Sequence, residues 1–308
     1  MRGGRRWLKP LTAAGVLALV LWRAGPSVVV DALSRIDGGS LAAVSGIALL
    51  TTACTSWRWV LVSRGLGLRL TLREAVPASY GSQFLNVSLP TGIAGDVHRG
   101  VVQGLRTGDV NRALRSVVWD RATGQTVQLC LAAVALVAVP SAVRAPLAGL
   151  GAVLGAAALA VLAALLVVRR VRGRSPVAIH GVAADLRRVL ARRAWVGVVG
   201  ASVVAVAGHV TTFLIAARVA GVDTALANLV PLAFIVLLAM AVPVSLAGWG
   251  PREGAAAWAF GAAGLGSLHG VTTAVVYGGM VLVASLPGAV VLTATSLRHR
   301  VRAREPRP

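Results

Sequence analysis

Apolar residues run along this chain in blocks of about twenty, the length a helix needs to cross a hydrocarbon layer ~30 Å thick. Continuous blocks at 10–30, 41–62, 116–139, 147–168, 194–217 and 270–296 are predicted as membrane-spanning helices. Two more, at 74–95 and 225–247, are apolar but interrupted by Gly, Pro, Asn and Ser. None of the blocks alternates polar with apolar positions, which argues against strands of a membrane barrel. The expected fold class is an all-α polytopic membrane protein with about six full spans and two broken or re-entrant helical elements, about eight hydrophobic segments altogether.

The two interruptions share a pattern. Pro90-Thr-Gly-Ile-Ala-Gly-Asp-Val-His-Arg99 and Pro243-Val-Ser-Leu-Ala-Gly-Trp-Gly-Pro-Arg252 both read Pro, three residues, Ala-Gly, three residues, Arg. They lie 153 residues apart in a chain of 308. The same shift carries 41–62 onto 194–215 and 116–139 onto 269–292. Duplicated helix breaks in an apolar chain are the mark of a transporter core built from internal repeats. The expected organisation is one transmembrane domain, 1–308, with repeat halves 1–146 and 147–308.

Charge orients these elements. Arginines gather at 2–6, 64–73, 99–115, 169–193 and 298–304, between or beyond the apolar blocks. By the positive-inside rule those segments, and both termini, are cytoplasmic in a multi-pass protein of the cytoplasmic membrane. Segment 74–95 is then re-entrant, because basic stretches flank it on both sides. Its counterpart, 225–247, either dips in from the outside or crosses fully with 252–268 returning. Either way the halves have opposite topology. The basic stretch 169–193 is expected to hold an interfacial helix over 177–193 on the inner leaflet. Met1–Trp22 has the look of a signal peptide, but with no convincing cleavage site a retained first helix is expected.

Composition narrows the function classes. The net charge of +21 follows the loops, and no basic patch interleaved with aromatics suggests nucleic acid. Anionic membrane lipids are the expected partners. Lys9 is the only lysine, so a Gly-Lys-Ser/Thr phosphate loop is absent. Neither Gly-x-Ser-x-Gly nor His-Glu-x-x-His occurs. His180 and Asp185 stand ~140° apart on a helix, so they make no acyltransferase-like pair. Cys54 and Cys130 fall within apolar blocks and form no metal motif. No metal, cofactor or catalytic residue is expected.

Ionisable groups inside the membrane cost ~2.5–3.5 kcal/mol each and need partners or a wet cavity. The candidates for a headgroup path are Asp96, Arg99, Asp120, Arg121, Arg252 and Glu253, with the polar residues Asn86 and Ser245. Arg99, Arg121 and Arg252 suit a phosphate, which a guanidinium holds through two parallel N–H bonds. Asp96 and Glu253 hold those arginines or carry a proton; equally, the whole set can serve as ion pairs locking the halves together. Pro90, Gly92, Gly95, Pro243, Gly248 and Gly250 are the expected structural breaks. Trp7, Trp57 and Trp59 read as interface anchors.

The chain resembles the membrane region of lysylphosphatidylglycerol synthases and the stand-alone flippase-like proteins related to it. The matching residues are Arg58-Trp59, the run Phe84–Arg99, Asp120-Arg121, and the run Val242–Glu253. It departs from that family in Ala94-Gly95-Asp96, where Gly-Gly-Asp is usual, and in Asp120-Arg121, where Glu-Arg is usual. The soluble aminoacyl-transferring domain of the synthases is not in this sequence. The resemblance implies movement of an anionic, aminoacylated or polyprenyl-linked lipid between leaflets. Two other readings stand beside it: a non-catalytic membrane subunit for a lipid-modifying or glycosyltransferase partner, and an intramembrane transferase using Asp96 or Glu253 as base.

Overall fold

The computed structural model describes residues 26–89, 92–137, 185, 194–241 and 250–302, and these are helical apart from short connections. The expected spans at 147–168 and most of 10–30, and the interfacial helix at 177–193 apart from Asp185, lie outside them. The described helices are α1 (Pro26–Ser34), α2 (Gly38–Gly65), α3 (Leu72–Ser88), α4 (Ala94–Thr107), α5 (Val110–Val137), α6 (Ala194–Val219), α7 (Leu226–Met240), α8 (Pro251–Ala262) and α9 (Ser267–Arg302). Among the described residues, three helices are long and apolar enough to cross a membrane: α2, α6 and α9.

Local chemistry sets several of the boundaries. Asp37 caps α2, its carboxylate accepting the Ser40 N–H at 2.7 Å. Thr71 and Glu74 form a capping box at the start of α3. Gly108, with φ +76°, ends α4 in the left-handed conformation that other residues resist. The helix over the span expected at 116–139 begins earlier, at Val110, with Arg112 and Arg115 in its first turns, and it is not one of those three.

The two interrupted blocks are helical hairpins. The first is α3 and α4, joined at 89–93; the second is α7 and α8, with the break between Met240 and Pro251. At ~1.5 Å per residue the 15 residues of α7 reach about 22 Å and the 12 of α8 about 18 Å. Both fall short of a ~30 Å core.

α2–α5 and α6–α9 share the order long, short, short, long. Moving α3 by 153 residues gives 225–241, against Leu226–Met240 for α7. Packing follows the same exchange. α2 lies on α6; α3 packs on α9 as α7 does on α5; α2 packs on α5 as α6 does on α9; α2 packs on α9 as α6 does on α5. Within each set the successive pairs also recur, α2–α3, α3–α4 and α4–α5 answering α6–α7, α7–α8 and α8–α9.

The direction of the central pair follows from its contacts. Gly208 faces Ile47 and Thr51, Ser202 bonds Arg58, and Gly197 faces Trp57 and Leu61. Numbers rise along α2 as they fall along α6, so these counterparts are antiparallel. Small residues let the backbones approach.

Apolar burial is uneven. The main core joins α6, α7, α8 and α9, centred on Phe213, Phe260 and Tyr277, whose rings lie 6.0–6.3 Å from Phe213. α7 is buried continuously from Leu229 to Leu238 except at Val230. α3, its counterpart, buries Ser79, Tyr80 and Ser82 instead.

With Cys54 and Cys130 replaced, a single cysteine at Arg69 (after α2) and one at Asp223 (after α6) should react with a membrane-impermeant maleimide from opposite sides. Labelling of both from one side would contradict an antiparallel crossing of α2 and α6.

Candidate functional site

The first hairpin brings a set of charges against α5. Asp96 stands in the first turn of α4, where the helix dipole favours a carboxylate. Its Oδ1 accepts from Arg99 Nε at 3.1 Å and from Ser82 Oγ at 3.3 Å; its Oδ2 accepts from Asn86 Nδ2 at 3.1 Å and also from Arg121. Asn86 also takes the Gly95 N–H on its own carbonyl oxygen at 2.8 Å. That amide therefore ties the end of α3 to the start of α4 across the break. Gly95 packs so closely there that a Cβ would sit 2.0 Å from the Ser82 carbonyl oxygen. Gly92, at φ +62°, turns the chain just before it.

Asp120 is the second acidic centre. Arg58 Nε reaches its Oδ1 at 2.8 Å and Arg99 Nη2 its Oδ2 at 2.8 Å. Arg58 continues to Ser202 Oγ on α6 at 3.1 Å. Arg58, Asp96, Arg99 and Asp120 are all buried. Room for Arg58 comes from Gly124, where a Cβ would lie 2.4 Å from Nη1. Arg99 also lies over the Trp59 ring, 4.6 Å from its centroid. Two carboxylates thus face three guanidiniums, and Arg121 is the half-exposed one, its side chain 45% accessible. Asp120 lies roughly ten residues into α5 and five beyond Arg115, where the helix turns from basic to apolar.

The second hairpin has a smaller counterpart. Glu253, in the first turn of α8, accepts the Gly250 N–H at 2.6 Å and Arg252 Nε at 2.8 Å. Gly250 has φ +105°. Arg252 lies 5.9 Å from the Tyr277 ring centroid and fills space left by Gly278. Both charges are buried.

The structure therefore brings together Asn86, Asp96, Arg99, Asp120 and Arg121, and places Arg252 with Glu253 in a separate pair. Ser245, Pro90, Pro243 and Gly248 lie outside the described residues. Arg99 is engaged through Nε by Asp96 and through Nη2 by Asp120. Trp59 differs from an interface anchor. It is buried, and its Nε1 donates to Ser116 Oγ at 3.1 Å, whereas Trp57 is exposed as expected. Sequence reasoning missed Ser82 and Ser202, for small hydroxyls on apolar helices look like packing residues. Among the described residues no group of acidic, His and Cys side chains could hold a metal.

These helices, hairpins and buried ion pairs define a polytopic α-helical membrane protein with a polar centre. The chain belongs to the lysylphosphatidylglycerol synthase transmembrane region family, whose model matches residues 6–288. The match concerns the membrane region and brings no catalytic domain with it. No curated protein and no solved structure matches the chain.

Asp120→Asn leaves Arg58 and Arg99 buried with one carboxylate fewer, and is expected to cost about 3–5 kcal/mol, as breaking buried pairs does. Arg121→Gln, at the accessible rim, should cost about 0–1 kcal/mol. Thermal unfolding in detergent checks both; equal midpoints for the two variants would refute the ranking.

Proposed function

We propose that the protein moves a phosphate-bearing lipid between the leaflets of the cytoplasmic membrane, the headgroup passing beside the break between α3 and α4. The observation that carries this reading is the buried network of Asp96, Arg99, Asp120 and Arg121, with one guanidinium at an accessible rim. A structural lock requires only balanced, enclosed pairs. Arg121 is neither enclosed nor matched by a carboxylate of its own, since Asp96 serves Arg99 as well. A lipid phosphate reaching Arg121 would compete with Asp96 for its N–H groups, and a charge-assisted bond of equal kind would replace the one lost.

Family membership supports a role at the lipid bilayer. The antiparallel counterparts α2 and α6 and the exchangeable packing of the two sets support an inverted repeat, in which the hairpins approach from opposite sides. In this reading Arg252 and Glu253 serve the outer half of the route, and aminoacylated and polyprenyl-linked lipids are both substrates of the right chemistry.

In liposomes, purified protein should carry fluorescent headgroup-labelled anionic lipid across the bilayer, read by an impermeant quencher. Arg121→Gln should slow that movement by about tenfold, the loss of one charge-assisted contact of ~1.4 kcal/mol, with folding intact. Failure of the wild type to move any of several anionic lipids, with or without a proton gradient, would overturn the transport reading in favour of a subunit that holds a partner enzyme.

A further inference from the structure

A second feature of the first half lies apart from the breaks. Between the α2–α3 connection, the last turn of α4 and the first turn of α5 is a cavity of about 430 Å³. That volume falls within the ~300–1,000 Å³ of small-ligand sites. Four arginines line it, Arg69, Arg99, Arg106 and Arg112, against two carboxylates, Glu74 and Asp109.

Both carboxylates are already engaged. Glu74 accepts from the Thr71 N–H at 3.0 Å and from its hydroxyl at 2.7 Å; those bonds hold its carboxyl below the usual range, with a smaller contribution from the charge of Arg106. Asp109 pairs with Arg112 at 3.2 Å. Arg69 and Arg106 donate no hydrogen bond to another described residue, and both are exposed. With Arg112 matched by Asp109 and Arg99 by Asp96 and Asp120, Arg69 and Arg106 face the single charge of Glu74, a surplus of one positive charge on guanidiniums with N–H groups to give.

The rest of the wall is apolar. Leu68, Leu70, Ala78 and Val102 line it, and Trp59 lies beneath with Arg99 over its ring. A cationic rim beside an apolar wall fits a phosphodiester attached to a hydrocarbon body better than a bare ion. Arg99 belongs both to this lining and to the buried network, so a phosphate held here is one side chain from the break.

We propose that this cavity binds the phosphodiester of a lipid headgroup from the arginine-rich side of the membrane, through Arg69 and Arg106. The choice of a lipid over a soluble phosphate compound rests on the transport reading above; the phosphate chemistry does not. Arg112, already paired, adds field rather than contacts.

The test uses the full chain in nonionic micelles, offered equal amounts of phosphatidylglycerol and phosphatidylcholine, with retained lipid quantified after washing. Wild type should retain phosphatidylglycerol in about tenfold preference, equivalent to ~1.4 kcal/mol. The double variant Arg69→Gln, Arg106→Gln should lose that preference, while Arg69→Lys, Arg106→Lys, which keeps both charges, should retain most of it. Arg218→Gln, at an exposed ion pair near the end of α6, serves as the control and should change nothing. A glutamine variant that binds like wild type overturns the site, whatever the liposome assay gives. Intact preference in a protein that moves no lipid supports the site and removes the transport reading. Displacement of the lipid by inorganic phosphate at equal concentration overturns the lipid assignment and points to a soluble phosphate compound.

Discussion

A carboxylate held between two guanidiniums in an apolar bundle is stable only as a complete set. Each ion loses several kcal/mol of hydration on burial, and the mutual attraction offsets that loss only with good geometry and no lone pair left over. Asp120 meets the condition by accepting from Arg58 on one oxygen and Arg99 on the other. It thereby ties α5 to α2 and α4, and through the Arg58–Ser202 bond to α6. Arg99 carries the constraint on to Asp96, and Asp96 to Asn86 and Ser82 on α3. Five helices are positioned by one chain of charge-assisted bonds. The hairpin break stays where it is because Asp96 ties Arg99 on α4 to Ser82 and Asn86 on α3.

The two sets of helices follow one plan with different chemistry. In the first, the short helix α3 presents Ser82 and Asn86 to the break, and charges collect there. In the second, α7 is apolar on nearly all sides and fills the core with α6, α8 and α9. Position 273 on α9 corresponds to Asp120 by the 153-residue shift, and it holds a buried threonine. Arg252 accordingly turns to its neighbour Glu253 and to Tyr277 rather than to an acid on the long helix. A polar half packed against an apolar one gives the bundle a firm side and a side where hydrophilic groups can be accommodated. The basic cavity at the helix ends belongs to the polar half as well.

Much of this was readable before any coordinates. Block length and arginine placement gave helical membrane architecture, and the 153-residue match anticipated both hairpins and the long helices flanking them. Asp96, Arg99, Asp120 and Arg121 stood out because ionisable groups are rare in apolar segments. Less was legible in their roles. Arg99 reads in sequence as a phosphate ligand; in the structure its Nε and Nη2 meet two carboxylates, and the exposed member is Arg121. Trp59 reads as an anchor at the interface and is instead the platform beneath Arg99.

The division has a physical cause. Helix formation, capping and membrane insertion depend on neighbours a few residues away, so hydrophobic period, Thr71 with Glu74, and the Gly and Pro breaks were determined by sequence alone. The ion pairs join residues separated by 21 and 62 positions, and Arg58 meets Ser202 across 144. Which charge finds which partner, which is enclosed and which reaches the rim, was decided only when α2, α4, α5 and α6 packed together. Low dielectric then made those distances, rather than residue type, the determinant of each side chain's role.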